Sequence, residues 1–87
     1  MNLKVRAYPN PFGADISLEV ICEQSEQVIF RLYNPSGKVI KMSYWKLVNG
    51  MNKIILDNLD RLTVGSYVVE LKDNNEGILY STELLKE

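Results

Sequence analysis

The sequence predicts an all-β fold, namely a two-sheet antiparallel β-sandwich of immunoglobulin-like type with about seven strands. Apolar and polar residues alternate in several short segments from one end of the chain to the other. Clusters of Asn, Pro and Gly separate these segments. None of the alternating segments has the sustained periodicity of a helix. In a chain of 87 residues, this pattern favours one sandwich domain over residues 1–87. A small open barrel is the alternative architecture.

The first three strands are predicted over residues 3–8, 15–22 and 28–33. In the first two, every second residue is apolar, so we expect one face against the core and one toward solvent. The third has Val28, Phe30 and Leu32 on one face but also Ile29 and Tyr33 on the other. Apolar residues on both faces are expected of a central strand whose two faces are partly covered.

The remaining strands are predicted over residues 39–46, 51–56, 67–72 and 78–85. In the fourth strand, Ile40, Met42 and Tyr44 are predicted to face inward, which leaves Trp45 out of phase. A β-bulge would return Trp45 to the core, and the irregular alternation favours this interpretation. Without a bulge, Trp45 and Tyr33 are candidate exposed aromatic residues that could form a contact patch.

Three of the connections contain residues typical of defined turns. The segment Asn34-Pro35-Ser36-Gly37 suits a type I turn. The pair Asn49-Gly50 suits a type I′ hairpin, and residues 73–77 suit a longer polar hairpin. A fourth connection, residues 58–64, is predicted to form a single helical turn with Asn58 as its cap.

Two prolines restrict the segment Tyr8-Pro9-Asn10-Pro11-Phe12. Each proline fixes its own φ near −65°, has no N–H, and pushes the residue before it toward extended geometry. The segment therefore cannot be a central strand. We expect it to give the chain a stiff path into the sandwich, anchored by Tyr8 and Phe12.

Charge and hydropathy argue against two classes of partner. The net charge is −1, and the ten basic residues are scattered along the sequence rather than clustered, so we expect no nucleic-acid surface. No apolar run approaches the ~20 residues needed to cross a bilayer, so we expect no stable membrane insertion.

Residue types also argue against catalysis and metal binding. The chain has no histidine, which excludes Ser-His and Cys-His nucleophile pairs and metal sites that depend on histidine. The acidic residues are spread over predicted strand exteriors and turns, and residues 73–77 lack the ligand spacing of an EF-hand loop. The single Cys22 continues the apolar alternation of its strand, so we expect a buried thiol. We predict a non-catalytic domain with no cofactor and no metal.

Four motifs follow one another along the chain, and together they resemble one known family. They are Tyr8-Pro9-Asn10-Pro11-Phe12, the strand and turn of residues 30–39 that contain Gly37, the segment Asn49-Gly50-Met51-Asn52, and Leu62-x-x-Gly65-x-Tyr67. In this order the chain resembles the C-terminal sorting domain of proteins exported by the type IX (Por) secretion system of Bacteroidetes, in its type A form. The resemblance covers nearly the whole chain.

The resemblance implies a secretion and sorting signal at the C-terminus of a larger exported protein, of which residues 1–87 are then a fragment. The partners it implies are the outer-membrane secretion machinery, a sortase-like protease and an upstream cargo domain. The location it implies is secreted or cell surface, reached through the periplasm and the outer membrane. The family's recognition signal lies in its last strand and tail, so the candidate recognition residues are Leu84, Leu85 and Lys86. The tail departs from the family's basic pattern, because it ends in Glu87.

The alternative function is an immunoglobulin-like spacer or a carbohydrate- or protein-binding module of a secreted or surface protein. Sugar binding would require the rings of Tyr33 and Trp45 to be coplanar and exposed.

Overall fold

Seven β-strands form two antiparallel sheets in the computed structural model, which describes residues 3–87. No helix occurs among these residues, so none is long and apolar enough to cross a membrane. The all-β prediction is confirmed. The strands are β1 (Leu3–Tyr8), β2 (Ile16–Cys22), β3 (Glu26–Tyr33), β4 (Val39–Leu47), β5 (Gly50–Leu56), β6 (Gly65–Asp73) and β7 (Ile78–Lys86).

The strand order is that of an immunoglobulin-like sandwich. One sheet has the order β1-β2-β5 and the other has the order β4-β3-β6-β7. The chain therefore crosses between the sheets after β2, after β4 and after β5, and pairs strands that are distant in sequence. Within residues 3–87 no named strand of one sheet pairs with a named strand of the other, which excludes the open barrel.

Alternate residues of both sheets meet in a single core, as the period-2 pattern predicts. Cys22 is buried there, and its Sγ donates to the carbonyl oxygen of Val48 at 3.0 Å. The side chains with the least exposure are Phe12, Ile16, Leu18, Val20, Val28, Phe30, Leu32, Leu47, Leu59, Tyr67, Val69 and Leu71.

A β-bulge lies near the start of β4. Leu32 of β3 pairs with Lys41, whereas the next residue, Tyr33, pairs with Val39. Ile40 is therefore an extra residue in β4, opposite no residue of β3. Because side chains alternate with a period of two, one extra residue reverses the faces of the strand beyond it.

This reversal corrects the predicted faces of β4. Met42 and Tyr44, which we expected to face inward, are exposed. Trp45 pairs directly with the buried residue Val28 and packs against the core as a half-buried residue. The expectation for Met42 and Tyr44 is wrong because it counted the alternation through the bulge.

The Asn49-Gly50 connection is not a hairpin, which corrects a second expectation. β4 ends at Leu47 in one sheet and β5 begins at Gly50 in the other, so the segment crosses between the sheets. Gly50 has a φ of 104°, a left-handed conformation that glycine adopts readily. A type I′ turn would require the flanking strands to pair with each other, and they do not.

The side chain of Asn52 holds this crossover in place. Its Oδ1 accepts a hydrogen bond from the Val48 N–H at 2.9 Å. Its Nδ2 donates to the carbonyl oxygens of Val48 at 2.9 Å and of Gly50 at 3.3 Å. Asn52 is buried, so these bonds form in surroundings where unpaired backbone groups would be costly.

Both predicted polar hairpins have the expected backbone bonds. Gly37 N–H donates to the Asn34 carbonyl oxygen at 2.9 Å, which closes a β-turn between β3 and β4. Asp73 N–H donates to the Gly77 carbonyl oxygen at 2.9 Å, which closes the connection between β6 and β7. In each hairpin the side chain of the Asn or Asp also accepts from two backbone N–H groups of its own turn.

Residues 58–64 contain one hydrogen-bonded turn instead of a helix. Leu62 N–H donates to the Leu59 carbonyl oxygen at 3.1 Å, which matches the predicted single turn. Asn58 has a φ of 60°, and its amide donates to Asp57 Oδ1 rather than capping the turn. The cap prediction is therefore wrong.

Candidate functional site

The Tyr8–Phe12 segment lies along the outer edge of β7 at its C-terminal end. β7 is the last strand of its sheet, so this edge has no strand neighbour in that sheet. Phe12 N–H donates to the Leu85 carbonyl oxygen at 2.8 Å, and Glu87 N–H donates to the Phe12 carbonyl oxygen at 3.0 Å. Asn10 Oδ1 accepts from the Leu85 N–H at 2.9 Å. Both backbone polar groups of Leu85 are therefore bonded to this segment.

The two prolines explain why only a short bridge forms here. Pro9 and Pro11 have no N–H, so they cannot donate to β7. Phe12 is the first residue after them that can, and it forms an isolated parallel bridge with Lys86. The peptide bonds before both prolines are cis. Because the prolines supply no backbone donors, the segment covers the end of β7 without extending the sheet.

Phe12 is fully buried and contacts Tyr67 of β6. The two rings meet edge to face, with centroids 5.7 Å apart and planes at 79°. The Tyr67 hydroxyl donates to the Thr63 carbonyl oxygen at 2.7 Å. A tyrosine near the start of this strand whose hydroxyl bonds to the backbone a few residues upstream is the tyrosine corner of immunoglobulin-like folds. This explains why the last motif ends in tyrosine.

The glycine of the same motif is explained by a close approach. A Cβ atom on Gly65 would lie 2.9 Å from Cγ of Pro35, in the turn between β3 and β4. Gly65 also pairs with Lys86, the residue that Phe12 bridges from the other side. Leu62 packs against the core as a half-buried side chain. Three of the four motifs thus meet around the end of β7.

The three candidate recognition residues differ sharply in exposure. Leu84 is 3% exposed and Lys86 is 7% exposed, because both are on the inner side of β7. Leu85 is 52% exposed on the outer side. A partner that meets the folded domain can contact the side chain of Leu85 but not that of Leu84.

Sequence reasoning missed two residues at or just before the start of β6. Ser66 is directly opposite Leu85 in the pairing of β6 with β7. Its Oγ is buried and has no hydrogen-bond partner among residues 3–87. Val64, just before β6, is an apolar side chain with 78% exposure. The alternation of residues in β6 could have placed Ser66 on the outer face. Its position opposite Leu85 is known only from the register between β6 and β7.

The structure does not bring Tyr33 and Trp45 together. Trp45 lies on the inner face near the start of β3, opposite Val28, whereas Tyr33 lies on the outer face at the end of β3. Both side chains are half-buried. The Tyr33 hydroxyl donates to Glu70 Oε1 at 2.7 Å. The two rings therefore do not form the single exposed platform that sugar binding would require.

Four charged residues on or beside the outer face of the four-stranded sheet are paired with one another. Arg31 Nη2 lies 3.3 Å from Glu76 Oε1. Lys72 Nζ lies 3.8 Å from Glu70 Oε1 and 4.0 Å from Glu76 Oε1. Hydrogen bonding to Tyr33, and to a lesser degree to Glu76, raises the pKa of Arg31 above its ordinary value. This face thus carries alternating charges rather than a basic surface.

An open cleft of about 490 Å³ lies where the edges of β4 and β5 approach each other. Lys41 Nζ donates to the Asp57 carbonyl oxygen across it at 3.0 Å. Asp57 is the only carboxylate in its lining, and residues 3–87 contain no group of three His, Cys, Asp or Glu placed to hold a metal. The lining consists of Phe30, Ile40, Lys41, Met42, Ser43, Ile55, Leu56 and Asp57.

The fold and the arrangement of motifs define an immunoglobulin-like domain in which three of the four motifs converge on the last strand rather than on a cleft. The chain belongs to the secretion system C-terminal sorting domain family, which it matches over residues 6–84. The domain is a type IX sorting signal, and it directs an attached cargo through the secretion machinery and across the outer membrane to a secreted or cell-surface location.

A solved structure supports the fold independently. The chain is similar to part of a selenomethionine-labelled β-glucosidase from Kluyveromyces marxianus, with a TM-score of 0.59 and 16% identity. The similarity covers 99% of this chain but only 14% of the β-glucosidase chain, and at this identity it concerns the fold alone. The comparison with curated proteins found no match.

Proposed function

We propose that this sorting signal is the type A form of Bacteroidetes and that the secretion machinery contacts it through the side chain of Leu85. The order of the four sequence motifs supports the type A form. The observation that carries the proposed contact is the exposure of Leu85 between two buried neighbours, Leu84 and Lys86. The backbone of Leu85 is held in place before any partner binds, so its exposed side chain offers an apolar contact at a low entropic cost of ordering.

The buried neighbours have a structural role in this proposal. Removing Leu84 would leave a cavity in the core, at a cost of about 2–5 kcal/mol. A deletion of residues 84–86 would therefore unfold the domain as well as remove the signal. A substitution at Leu85 alone separates recognition from folding.

We further propose that a sortase-like protease removes the domain from its cargo on the N-terminal side of β1. Leu3–Tyr8 is paired with β2 along its whole length, and proteases act on accessible, unpaired segments. Mass spectrometry of the released cargo would locate its new C-terminus, which we expect upstream of Leu3. A C-terminus within β1 or later would contradict this part of the proposal.

The test uses a reporter that carries a signal peptide at its N-terminus and this domain at its C-terminus, in a bacterium with a type IX system. Leu85→Ser should trap the reporter in the periplasm, because it removes the exposed apolar contact. Ile78→Ser is the matched control, since Ile78 begins the same strand and is 62% exposed. We expect normal export of the control.

Thermal melting of both purified variant domains shows whether each is folded. Normal export of Leu85→Ser would contradict the contact proposed for Leu85. Equal retention of the two folded variants would contradict it as well, because the loss would then not be specific to the end of β7. Retention of the unmodified reporter would contradict sorting by this domain altogether.

A further inference from the structure

We infer that Asn10 and Phe12 are positioning residues for the sorting signal: they hold the backbone of Leu85 in the place where the secretion machinery contacts it. This inference rests on the function proposed above, and it assigns a role in recognition to a motif at the opposite end of the sequence. The Asn10 and Leu85 positions are separated by 75 residues.

The backbone of Leu85 depends on this segment because of strand alternation. In an antiparallel pair, successive residues turn their polar backbone groups alternately toward the partner strand and away from it. The backbone groups of Leu85 bond to Asn10 and Phe12, on the side away from β6. The backbone groups of Leu84 and Lys86 therefore point toward β6. Among residues 3–87, those of Leu85 have their partners only in the Tyr8–Phe12 segment.

A strand at the edge of a sheet has a row of backbone groups with no partner strand. Here the last residues of β7 are held on one side by β6 and on the other by Phe12, which bonds to both Leu85 and Glu87. Phe12 itself is fixed by its fully buried ring against Tyr67. The rigid core thus positions the last strand through Phe12.

Asn10 contributes a hydrogen-bond acceptor, its Oδ1 atom, rather than side-chain volume in the core. Its neighbours Pro9 and Pro11 cannot donate backbone hydrogen bonds, and its side-chain oxygen reaches the Leu85 N–H at 2.9 Å. Asn10 is exposed, so its substitution leaves no cavity in the core. Alanine removes the acceptor, whereas aspartate keeps an acceptor oxygen at the same distance from the backbone.

The experiment measures export of the same reporter with Asn10→Ala, Asn10→Asp and Asp73→Ala. Asp73 is the matched control, because its side chain also accepts from backbone N–H groups, those of Asn75 and Gly77 at the other end of β7. We expect Asn10→Ala to lower export about threefold or more, in keeping with the loss of one hydrogen bond. Asn10→Asp should restore export, and Asp73→Ala should not reduce it.

Stability is measured in parallel by urea unfolding of the purified domains. One hydrogen bond at an exposed site is a small part of the stability of a domain, so Asn10→Ala should remain folded. If Asn10 had a purely structural role, export would depend only on the stability of the domain. Asp73→Ala and Asn10→Ala would then reduce export equally whenever they lower the free energy of unfolding equally. That result would overturn the inference.

Two outcomes separate this inference from the proposed function. If Asn10→Ala is exported normally while Leu85→Ser is retained, the positioning role is wrong and the proposed contact stands. If the unmodified reporter is not exported, the proposed function itself is wrong. Retention of Asn10→Ala with rescue by Asn10→Asp supports both.

Discussion

The side-chain oxygen of Asn10 accepts a hydrogen bond from the backbone N–H of Leu85, and this bond joins the first motif of the chain to its last strand. Phe12 continues the contact with two backbone bonds, to Leu85 and Glu87. The motif that is most conspicuous in the sequence and the segment proposed as the signal are therefore one structural unit. An account of recognition has to include both.

The tyrosine corner is expected to stabilise the domain. Tyr67→Phe removes the hydroxyl that donates to the Thr63 carbonyl oxygen, at a cost of about 1–2 kcal/mol in the free energy of unfolding. Urea unfolding measures this change. Tyr44→Phe is the control, because Tyr44 is exposed, and it should change stability by less than about 0.5 kcal/mol. Equal effects of the two substitutions would contradict a role for the corner.

Asn52 is expected to be the most sensitive polar residue of the crossover between β4 and β5. Asn52→Ala leaves the Val48 N–H without its side-chain acceptor and removes one of the two side-chain donors to the Val48 carbonyl oxygen, so we expect a loss of roughly 1–3 kcal/mol. Asn49→Ala, an exposed neighbour in the same segment, should be close to neutral. Thermal or urea unfolding compares the two. A neutral Asn52→Ala would show that the crossover holds without this amide.

Substitution of Ser66, unlike the two substitutions above, is expected to increase the stability of the domain. Its buried hydroxyl has no partner within residues 3–87, so Ser66→Ala should raise the free energy of unfolding by about 1 kcal/mol. Ser81→Ala, at an exposed position of β7, should have little effect. A destabilised Ser66→Ala domain in urea unfolding would mean that the hydroxyl does have a partner in solution.

Local sequence chemistry predicted much of this fold. Alternation identified all seven strands, because one face of each strand packs against the core and the pattern repeats every two residues. The Asn34–Gly37 turn was also predictable, because its hydrogen bonds form between residues within the turn. Tyr67 was identified by its motif and its inward position, although its hydroxyl bond was not.

Features set by distant residues were not predictable in the same way. Irregular alternation predicts a bulge in the fourth strand, but its position at Ile40 is set by the pairing between β3 and β4, and it reverses the expected faces of Met42 and Tyr44. Asn49-Gly50 looks like a hairpin locally, but the adjoining strands belong to different sheets. The bond between Asn10 and Leu85 needs the whole sandwich to bring its ends together.

The Tyr8–Phe12 segment holds the end of β7, and hydrogen exchange of individual backbone amides in the unmodified domain tests this role most directly. In β7 the amides of Ser81, Glu83 and Leu85 all point away from β6, but among these three only Leu85 has an acceptor, Asn10 Oδ1, within residues 3–87. We predict slow exchange at Leu85 and fast exchange at Ser81 and Glu83. Exchange at Leu85 as fast as at Glu83 would contradict the account.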